Sequence, residues 1–309
     1  MEPATPTRGR VTIDTGAGTI SLTPLFPTMG AVVGGVDLRE ALAPPIRQAL
    51  YEAFLVYGAL LFEDQELSVE DEERAFQCFD GIDTANPSVY GKDFRVEGHP
   101  AIRVLSNKVA PEGRIGIVMG KQGPEWHCDG TSSPRQPVAS QLYCLEANEV
   151  GGDTLFAHGA VAYELLPGEL RARLESMVCV YNSDHLQKKL AVYDSREIEL
   201  SGAPDVEHPL VLVHPETGRR AIYFAGGELV DIKGLNEQER LAVIAELSEH
   251  LFTNPHLTYR HRWQPGDLLV WDNRTVIHSA TFYNYEGHPR LLHHICGSGT
   301  ELEASGVAR

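Results

Sequence analysis

The sequence predicts a mainly β protein with flanking helices, in which the strands form a jelly-roll barrel under a helical cover. Many short apolar segments are separated by turn residues, and only a few segments show the apolar period of a helix. Short strands with a few helices laid outside them are typical of such barrels. No glycine-rich nucleotide fingerprint follows a strand, which leaves a Rossmann fold with little support.

The elements before residue 80 follow from local signals. Strands are predicted at residues 10–13 and 19–23. Pro44-Pro45 begins a helix that Gly58 ends, and residues 59–62 follow as a buried strand. A capping box at Ser68 begins a second helix. The apolar faces of these two helices contain Ile46, Leu50, Phe54 and Tyr57 in the first, and Ala75, Phe76 and Phe79 in the second.

Residues 86–125 are rich in glycine, proline and polar residues, with one short strand predicted at residues 102–105. An irregular segment next to a candidate metal motif is typical of a loop that covers a substrate. A mobile surface loop is the alternative. We therefore predict lid loops over about residues 84–125 of the chain.

The remainder of the chain is predicted to be mainly β, with a helix near residues 160–166 and a loop at 196–207. Residues 214–219 have the composition of a hairpin turn. Asn236 caps a last long helix over residues 237–251. Its apolar face is predicted to contain Leu241, Ile244, Leu247 and Leu251. Strands are predicted at residues 138–144, 154–156, 176–181, 210–214, 221–224, 258–263, 267–271 and 290–295.

Length and composition favour one globular domain. The chain has 309 residues, of which 42% are hydrophobic and 22% charged, as in ordinary soluble proteins. We predict a single domain over residues 10–300, with flexible tails at 1–9 and 301–309. No apolar run approaches the ~18 residues that span a bilayer, and the N-terminus lacks the layout of a secretory signal. We therefore expect a cytoplasmic protein without a membrane partner.

Net charge and cysteine content argue against nucleic-acid-binding, disulfide-stabilised and structural-zinc proteins. The net charge of −17 argues against a nucleic-acid partner, because binding to the phosphate backbone needs clustered lysine and arginine. The negative net charge is compatible with an anionic small-molecule ligand if cationic residues converge at its binding site. The five cysteines are widely spread and form no C-x-x-C pair, so neither a disulfide framework nor a structural zinc site is expected.

Two distant segments contain a candidate metal site. His127 and Asp129 are two residues apart, so on a β-strand both side chains face one side and that of Cys128 faces away. His278 must then come from another strand or loop near the same barrel mouth. Two imidazoles and one carboxylate suit Fe(II) and leave three positions for oxygen and a chelating substrate. A lone H-x-D pair often arises by chance, since the chain has 13 histidines.

The flanking residues make a chance occurrence of the H-x-D pair less plausible. Trp126 precedes the pair, and Gly151-Gly152-Asp153-Thr154 follows it. Trp271-Asp272-Asn273-Arg274 lies four residues before His278. Arg290, 12 residues beyond His278, can supply a fixed fork for a carboxylate. A surface arginine in a salt bridge is the alternative for that residue.

The ordered motifs resemble a known family. W-H-x-D, G-G-D-T, H-P-x-T-G-R, Q-P-G-D-L and W-D-N-R-x-x-x-H, followed by an arginine, are similar to those of the taurine/2,4-dichlorophenoxyacetate dioxygenases. The resemblance covers roughly residues 20–298 and implies a double-stranded β-helix, a cupin-like barrel. It further implies Fe(II) and 2-oxoglutarate, with His127, Asp129 and His278 as iron ligands. Arg290 would bind the distal carboxylate of 2-oxoglutarate, and Thr154 would add a hydroxyl contact.

The same resemblance implies the reaction. Decarboxylation of 2-oxoglutarate with O2 gives succinate and CO2, coupled to hydroxylation or desaturation at a C–H bond of a small organic substrate. Relatives that halogenate lack the carboxylate ligand, so Asp129 favours hydroxylation or desaturation. Dimers or tetramers are expected by resemblance. The primary substrate cannot be read from the sequence.

One departure bears on the substrate. The taurine enzymes hold the sulfonate with a histidine and a tyrosine of an early loop, and with a second arginine four residues after the 2-oxoglutarate arginine. Here the matching loop contains Asn86 and Tyr90, and the position four after Arg290 is His294. We predict these three residues as substrate contacts and do not expect taurine as the substrate. A buried structural role is the alternative for His294.

Two other functions are compatible with parts of the pattern. A zinc-dependent hydrolase could use the same ligands to activate water, but that reading leaves Arg290 and Gly-Gly-Asp-Thr unexplained. A metal-free barrel could serve as a binding module. Retention of ligand binding by a His127→Ala variant would favour the binding module, and hydrolysis without oxygen would favour the zinc enzyme.

Overall fold

The computed structural model describes residues 9–82, 94–111, 113–118, 125–194, 200–282 and 288–301. The helices within these residues are α1 Pro44–Tyr57, α2 Val69–Phe76, α3 Gly159–Glu164, α4 Gly168–Leu174, α5 Ser183–Asp194 and α6 Glu237–Thr253. The strands are β1 Val11–Asp14, β2 Thr19–Pro24, β3 Ala31–Gly34, β4 Ala59–Phe62, β5 Arg95–Val96, β6 His99–Ser106, β7 Val109–Ala110, β8 Gly113–Arg114, β9 Arg135–Gln136, β10 Ala139–Glu146, β11 Thr154–His158, β12 Val178–Tyr181, β13 Val206–Pro209, β14 Val211–Val213, β15 Arg220–Ile222, β16 Leu229–Ile232, β17 Thr258–His261, β18 Leu268–Asp272, β19 Val276–Ala280, β20 Leu291–Cys296 and β21 Thr300–Glu301.

The fold is mainly β, as predicted. A nine-stranded sheet has the order β1-β2-β3-β4-β18-β10-β20-β6-β5, and a three-stranded sheet has the order β17-β11-β19. Inward side chains of both sheets form one buried cluster, which includes Leu61, Trp271 and Phe156. The rings of Phe156 and Trp271 meet edge to face at 5.4 Å, so the two sheets pack directly on each other.

The outer face of the large sheet is covered by α1 and α2. Strand alternation directs Leu60 and Phe62 towards these helices, whereas Ala59 and Leu61 face the inner cluster. A third cluster lies where α3, α4 and α6 pack on the sheet β13-β12-β16 and on the hairpin β14-β15. The predicted helical cover therefore exists, but the helices cover two separate faces.

Local sequence signals predicted the first or last residue of several elements correctly. α1 begins at Pro44 and ends before Gly58, which adopts φ 72° and donates its N–H to Phe54. β4 has the predicted bounds. Ser68 and Asp71 form the predicted capping box of α2, and Asn236 forms a second one with Glu239 at the start of α6. These boundaries are set by side chains that satisfy the free N–H groups of a helix end.

One prediction for α6 is wrong. Leu241 was expected on its apolar face, but the side chain is 55% exposed, and Val243 is buried instead. Leu247 and Leu251 are fully buried, as predicted. The apolar period alone places Leu241 and Leu247 on overlapping faces, and only the position of the packed sheet decides which one is buried.

Several elements were not predicted. β3 has glycines on both sides, which weaken the strand signal. α5 is mostly polar and shows little apolar period. β13 begins inside the predicted loop at residues 196–207, of which the structure describes 200–207. β19 follows β18 after a turn without glycine or proline, closed by a hydrogen bond from Thr275 N to Asp272 O.

Within the predicted lid, the described residues contain β5, β6, β7 and β8, more strand than expected. Residues 83–93, 112 and 119–124 lie outside the described part. All five cysteines are free thiols. Among the described residues, no helix is both long and apolar enough to span a bilayer.

Candidate metal centre

The two histidines of the predicted site are joined through their backbones. His127 N donates to His278 O at 2.9 Å, and His278 N donates to His127 O at 2.8 Å. Such a reciprocal pair places both side chains on the same face. On its other side, the His127 segment is hydrogen-bonded to residues 224–226, since Cys128 N donates to Phe224 O. Residues 151 apart in sequence are thereby fixed as direct neighbours.

Asp129 lies in a turn, which corrects the prediction that it shares a strand with His127. His127 forms only isolated β-bridges, and the chain turns at Asp129 and Gly130. Gly130 adopts φ 78°, and a Cβ on it would lie 2.3 Å from Pro137 Cδ, so only glycine fits. Cys128 is buried in the third core cluster and also lines the cavity that contains the ligands.

The three predicted ligands converge. Nε2 of His127 and Nε2 of His278 each lie 3.8 Å from Oδ1 of Asp129. Ligand atoms of all three residues lie within 4.8 Å of one another. Two donors on one ion can be at most twice a bond length apart, about 4.2 Å for metal–nitrogen bonds of about 2.1 Å. The spacing of the carboxylate to each imidazole therefore fits a single first-row metal ion.

The hydrogen bonding of the His127 ring also fits a cation bound between His127 and Asp129. Nδ1 of His127 lies 3.0 Å from Glu125 O and must donate to it, so Nε2 carries the lone pair in the neutral ring. That lone pair faces a carboxylate at a distance too long for a hydrogen bond. An electron-rich nitrogen opposite an anionic oxygen is unfavourable unless a cation lies between them. The donor set therefore fits Fe(II), whose ligands are of this type.

Burial and charge set the ionisation of the ligands. Burial, followed by the proximity of His127, lowers the pKa of His278 to about 3, which leaves its imidazole neutral and able to bind metal. Burial alone would raise the pKa of Asp129, but the nearby His278, His294 and His127 hold it well below its usual value. The site thus presents a neutral imidazole on His278 and an ionised carboxylate on Asp129.

A buried chain of hydrogen bonds fixes the second oxygen of Asp129. Trp271 Nε1 donates to Asn273 Oδ1 at 3.0 Å, and Asn273 Nδ2 donates to Ser140 Oγ at 2.9 Å. Ser140 Oγ in turn donates to Asp129 Oδ2 at 2.7 Å. Trp271, Asn273 and Ser140 are all fully buried. Sequence reasoning missed Ser140, since nothing in the sequence near residue 140 marks it as a partner of Asp129.

The other two residues of the W-D-N-R motif have a structural role. Asp272 accepts hydrogen bonds from Arg274 Nε at 2.8 Å and from His214 Nε2 at 3.0 Å. Arg274 also pairs with Glu216 at 2.6 Å, which accepts from Tyr51 of α1 at 2.8 Å. The H-P-x-T-G-R turn is thereby joined to the β18–β19 turn. Trp271 and Asn273 of this motif therefore support the metal ligand Asp129, whereas Asp272 and Arg274 join the two turns.

Arg290 and Thr154 line the same cavity as the three ligands, which has a volume of about 430 Å³. Both residues are buried. Thr154 Oγ1 accepts from Trp263 Nε1 at 3.0 Å, which leaves its own O–H to donate. Asn107 Oδ1 accepts from Arg290 N at 2.8 Å, and Ser106 Oγ donates to Arg290 O at 2.7 Å. The backbone of Arg290 is therefore held at two points.

Of the three predicted substrate contacts, one is placed in the cavity. His294 lines it, and its Nε2 lies 3.5 Å from Asp129 Oδ2. Asn86 and Tyr90 lie outside the described residues. Sequence reasoning missed two other residues of the cavity wall, Arg103 and Glu228. Glu228 Oε2 accepts from Thr131 Oγ1 at 2.6 Å and from Ser132 N at 3.0 Å, which ties down the turn after Asp129.

The whole chain is similar to known dioxygenases. The chain is 32% identical to the alpha-ketoglutarate-dependent 2,4-dichlorophenoxyacetate dioxygenase of Cupriavidus pinatubonensis, over 87% of this chain and 94% of that protein. It is also 32% identical to the (S)-phenoxypropionate/alpha-ketoglutarate-dioxygenase of Sphingobium herbicidovorans, over 93% and 98%. The crystal structure of a taurine dioxygenase from Burkholderia xenovorans superposes with a TM-score of 0.73 at 29% identity, covering 93% of this chain and 94% of that one.

A sequence profile of one family extends over almost the whole described fold. The profile of the taurine catabolism dioxygenase TauD, TfdA family matches residues 21–296, which include all three candidate ligands, Thr154 and Arg290. The chain therefore belongs to the taurine catabolism dioxygenase TauD, TfdA family of alpha-ketoglutarate (2-oxoglutarate)-dependent dioxygenases.

Proposed function

We propose that this chain is an Fe(II)- and 2-oxoglutarate-dependent dioxygenase that hydroxylates or desaturates a small organic substrate, with formation of succinate and CO2. The observation that carries the proposal is the meeting of two kinds of group in one cavity. A two-histidine, one-carboxylate set lies on its wall, and a buried arginine with a buried threonine hydroxyl lines the same space. The first set suits iron, and the second suits a dicarboxylate.

In this proposal His127, Asp129 and His278 hold the iron, and the bound iron with O2 supplies the oxidation. Arg290 binds the distal carboxylate of 2-oxoglutarate through its planar fork, and the Thr154 hydroxyl donates to the same carboxylate. Ser140 keeps Asp129 oriented, so that only Oδ1 faces the two imidazoles. The cavity walls exclude water and hold a C–H bond of the substrate near the metal.

The substrate we propose is a small organic acid. The two relatives at 32% identity are named for 2,4-dichlorophenoxyacetate and (S)-phenoxypropionate, both of them carboxylates. A cavity of about 430 Å³ is of the size that takes such a molecule. His294, beside Asp129, would contact it, and Asn86 and Tyr90 stay predicted contacts.

Further features stay predictions. These are closure of the sheets into a double-stranded β-helix, a single domain over residues 10–300 between tails at 1–9 and 301–309, and lid loops at about 84–125. A dimer or tetramer and a cytoplasmic location are also predictions. The packing of the large sheet on the sheet β17-β11-β19 supports the β-helix arrangement.

The experiment is a succinate-release screen across carboxylates, sulfonates and amino acids, with Fe(II), 2-oxoglutarate and O2. We expect succinate formation that at least one acid stimulates, and its loss in His127→Ala. His256→Ala is the matched control, because His256 is exposed and belongs to none of the candidate ligands. Protein that binds neither Fe(II) nor 2-oxoglutarate would overturn the proposal.

A further inference from the structure

A second arginine lines the cavity of the metal centre. Arg103 of β6 lies opposite His294 of β20 in antiparallel register. Residues opposite each other in such a pair project from the same face of a sheet. His294 projects towards Asp129, with Nε2 3.5 Å from Oδ2. Arg103 therefore projects into the same space, and it is one of the residues that line the cavity.

Arg103 ends a row of side chains that crosses three strands. Leu142 of β10 lies opposite His294, which lies opposite Arg103, and all three line the cavity. Neighbouring strands are about 4.8 Å apart. The backbone of Arg103 is therefore about one strand spacing from that of His294, whose imidazole adjoins the carboxylate ligand. The row leads from the metal centre to a guanidinium group.

The charge of Arg103 acts inside this cavity. Cys296 follows His294 by two residues, projects from the same face of β20 and also lines the cavity. Burial raises the pKa of the Cys296 thiol to about 12, and the nearby Arg103 acts against that rise. The guanidinium group thus lies close enough to the inner face of β20 to influence a residue there.

Arg103 is separated from the arginine assigned to 2-oxoglutarate. Arg290 and His294 are four residues apart on the same face, about 13 Å along a strand at about 3.3 Å per residue. Arg103 is level with His294, whereas Arg290 is level with Asn107, which binds its backbone N–H. The two arginines therefore enter the cavity at different levels. One can bind the co-substrate while the other binds a second anion.

The acidic residues of the cavity come from other parts of the chain. Glu125 and Asp129 belong to the segment with the metal ligands, and Glu228 to the loop before β16. Glu228 is already bonded to Thr131 and Ser132. Of the described cavity residues, the nine-stranded sheet contributes Arg103 and no carboxylate. An anion would therefore be bound against this sheet.

We propose that Arg103 binds the acidic group of the primary substrate and is the residue that selects acids for oxidation, an inference that rests on the proposed function. Its planar fork can accept a carboxylate, sulfonate or sulfate group through two parallel hydrogen bonds. His294 lies between the Arg103 guanidinium group and Asp129. The acidic group of the substrate is therefore held at a distance from the metal. The C–H bond presented for oxidation is then a few bonds away from the acidic group.

The test is a fluorine NMR titration of the full chain with 4-fluorophenoxyacetate and with its neutral counterpart, 4-fluorophenoxyacetamide. Zn(II) replaces Fe(II), and 2-oxoglutarate is saturating, so that Arg290 is occupied and no turnover occurs. A lost charge-assisted hydrogen bond corresponds to about tenfold to hundredfold in affinity. We expect wild type to prefer the acid by that factor, Arg103→Met to bind both compounds about equally, and Arg103→Lys to retain part of the preference.

Arg95→Met is the matched control. Arg95 lies opposite Arg103 on β5 and bonds to Pro100 O, but it is not among the described residues that line the cavity. It should keep the preference of wild type. Binding of 2-oxoglutarate is measured on every sample. Two results would overturn the role of Arg103 in protein that binds 2-oxoglutarate. One is that Arg103→Met still prefers 4-fluorophenoxyacetate to the amide, and the other is that wild type shows no such preference. Failure of wild type to bind 2-oxoglutarate would instead overturn the proposed function.

Discussion

At the residue scale, the protein orients two of its three candidate ligands, His127 and Asp129, before any metal arrives. The Nδ1 of His127 donates to a backbone carbonyl, which directs the lone pair of Nε2 towards Asp129. One oxygen of Asp129 is bonded to Ser140, which is itself bonded to Asn273. Since the partners are buried and fixed, the open oxygen of Asp129 has one orientation. Partners of this kind commonly change metal affinity when they are removed.

Ser140→Ala should weaken metal binding by about tenfold to hundredfold while the fold is kept. The reason is that Asp129 Oδ2 loses its hydrogen bond and the carboxylate is free to rotate. Competition between the protein and a coloured chelator for Co(II) measures the affinity. Ser279→Ala is the matched control, because Ser279 is also fully buried and lies next to His278 in β19. Equal affinities of Ser140→Ala and wild type would contradict this account.

The ligand types were readable from the sequence because the spacing of His127, Asp129 and His278 comes with flanking motifs. The structure brings these three together, although Asp129 lies in a turn and not on a strand with His127. Ser140 and Arg103 were not readable. Their positions in the site depend on which strands pair and in what register, and β10 and β6 carry no motif that reports their partners. The role of such residues is a property of the sheet and not of the local sequence.

At the element scale, the face that a helix buries is decided by its neighbours. The sequence placed Leu241 and Leu247 on one apolar face of α6, but the first is 55% exposed and the second fully buried. Leu247→Ala should therefore lower the free energy of unfolding by about 2–5 kcal/mol. Leu241→Ala should change it by less than about 0.5 kcal/mol. Urea unfolding of both variants measures the difference. Similar losses of unfolding free energy in the two variants would show that the buried face of α6 is wrongly assigned.

Helix ends and short strands differ in how well they could be predicted. α1, β4, the capping box at Ser68 and the Asn236 cap were predicted because their signals are local. These signals are proline at the start, glycine at the end, and a side chain that meets a free N–H. β19, which carries His278, was not predicted. Its turn is made of polar residues held by a buried ion pair, so the usual turn signals are missing.

His158 should make the stability of α3 depend on pH. Its Nδ1 accepts from Ala160 N at the start of α3, and burial lowers its pKa to about 3. The unfolded chain binds this proton below about pH 6.5 and the folded chain does not, so stability falls as the pH falls. From pH 7 to pH 5 this group should remove about 2 kcal/mol. His158→Asn keeps a capping oxygen but cannot titrate.

Urea unfolding at the two pH values tests this prediction. The loss of unfolding free energy between pH 7 and pH 5 should be about 2 kcal/mol smaller in His158→Asn than in wild type. The comparison cancels the contribution of all other titrating groups. An equal loss in both proteins would mean that His158 already binds its proton in the folded state.

At the scale of the whole molecule, one buried ionic network joins distant parts of the chain. Asp272 and Arg274 of the β18–β19 turn are linked to His214, to Glu216 and through it to Tyr51 of α1. Burial alone would raise the pKa of Asp272, but Arg274 and His214 hold it far below its usual value. The carboxylate therefore stabilises the fold above the unfolded pKa of about 3.9, and that contribution is lost as the pH falls below it.

Asp272→Asn should cost about 3–5 kcal/mol near pH 7, because it leaves the Arg274 charge buried with a weaker partner. The difference between wild type and variant should shrink as the pH is lowered below about 4. Denaturant unfolding across this range measures both effects. Lys233→Ala, which breaks an exposed pair with Glu207, should cost less than about 1 kcal/mol at any pH. A constant difference between wild type and Asp272→Asn at all pH values would be inconsistent with this network.

The most direct test of the central claim is equilibrium binding of Fe(II) and 2-oxoglutarate to the chain without oxygen. We predict one Fe(II) per chain in wild type, and 2-oxoglutarate binding that depends on this iron. His278→Ala should lose the bound iron, and Arg290→Met should keep the iron but bind 2-oxoglutarate at least about tenfold more weakly. Iron binding that is unchanged in His278→Ala, or 2-oxoglutarate binding that is unchanged in Arg290→Met, would contradict the account.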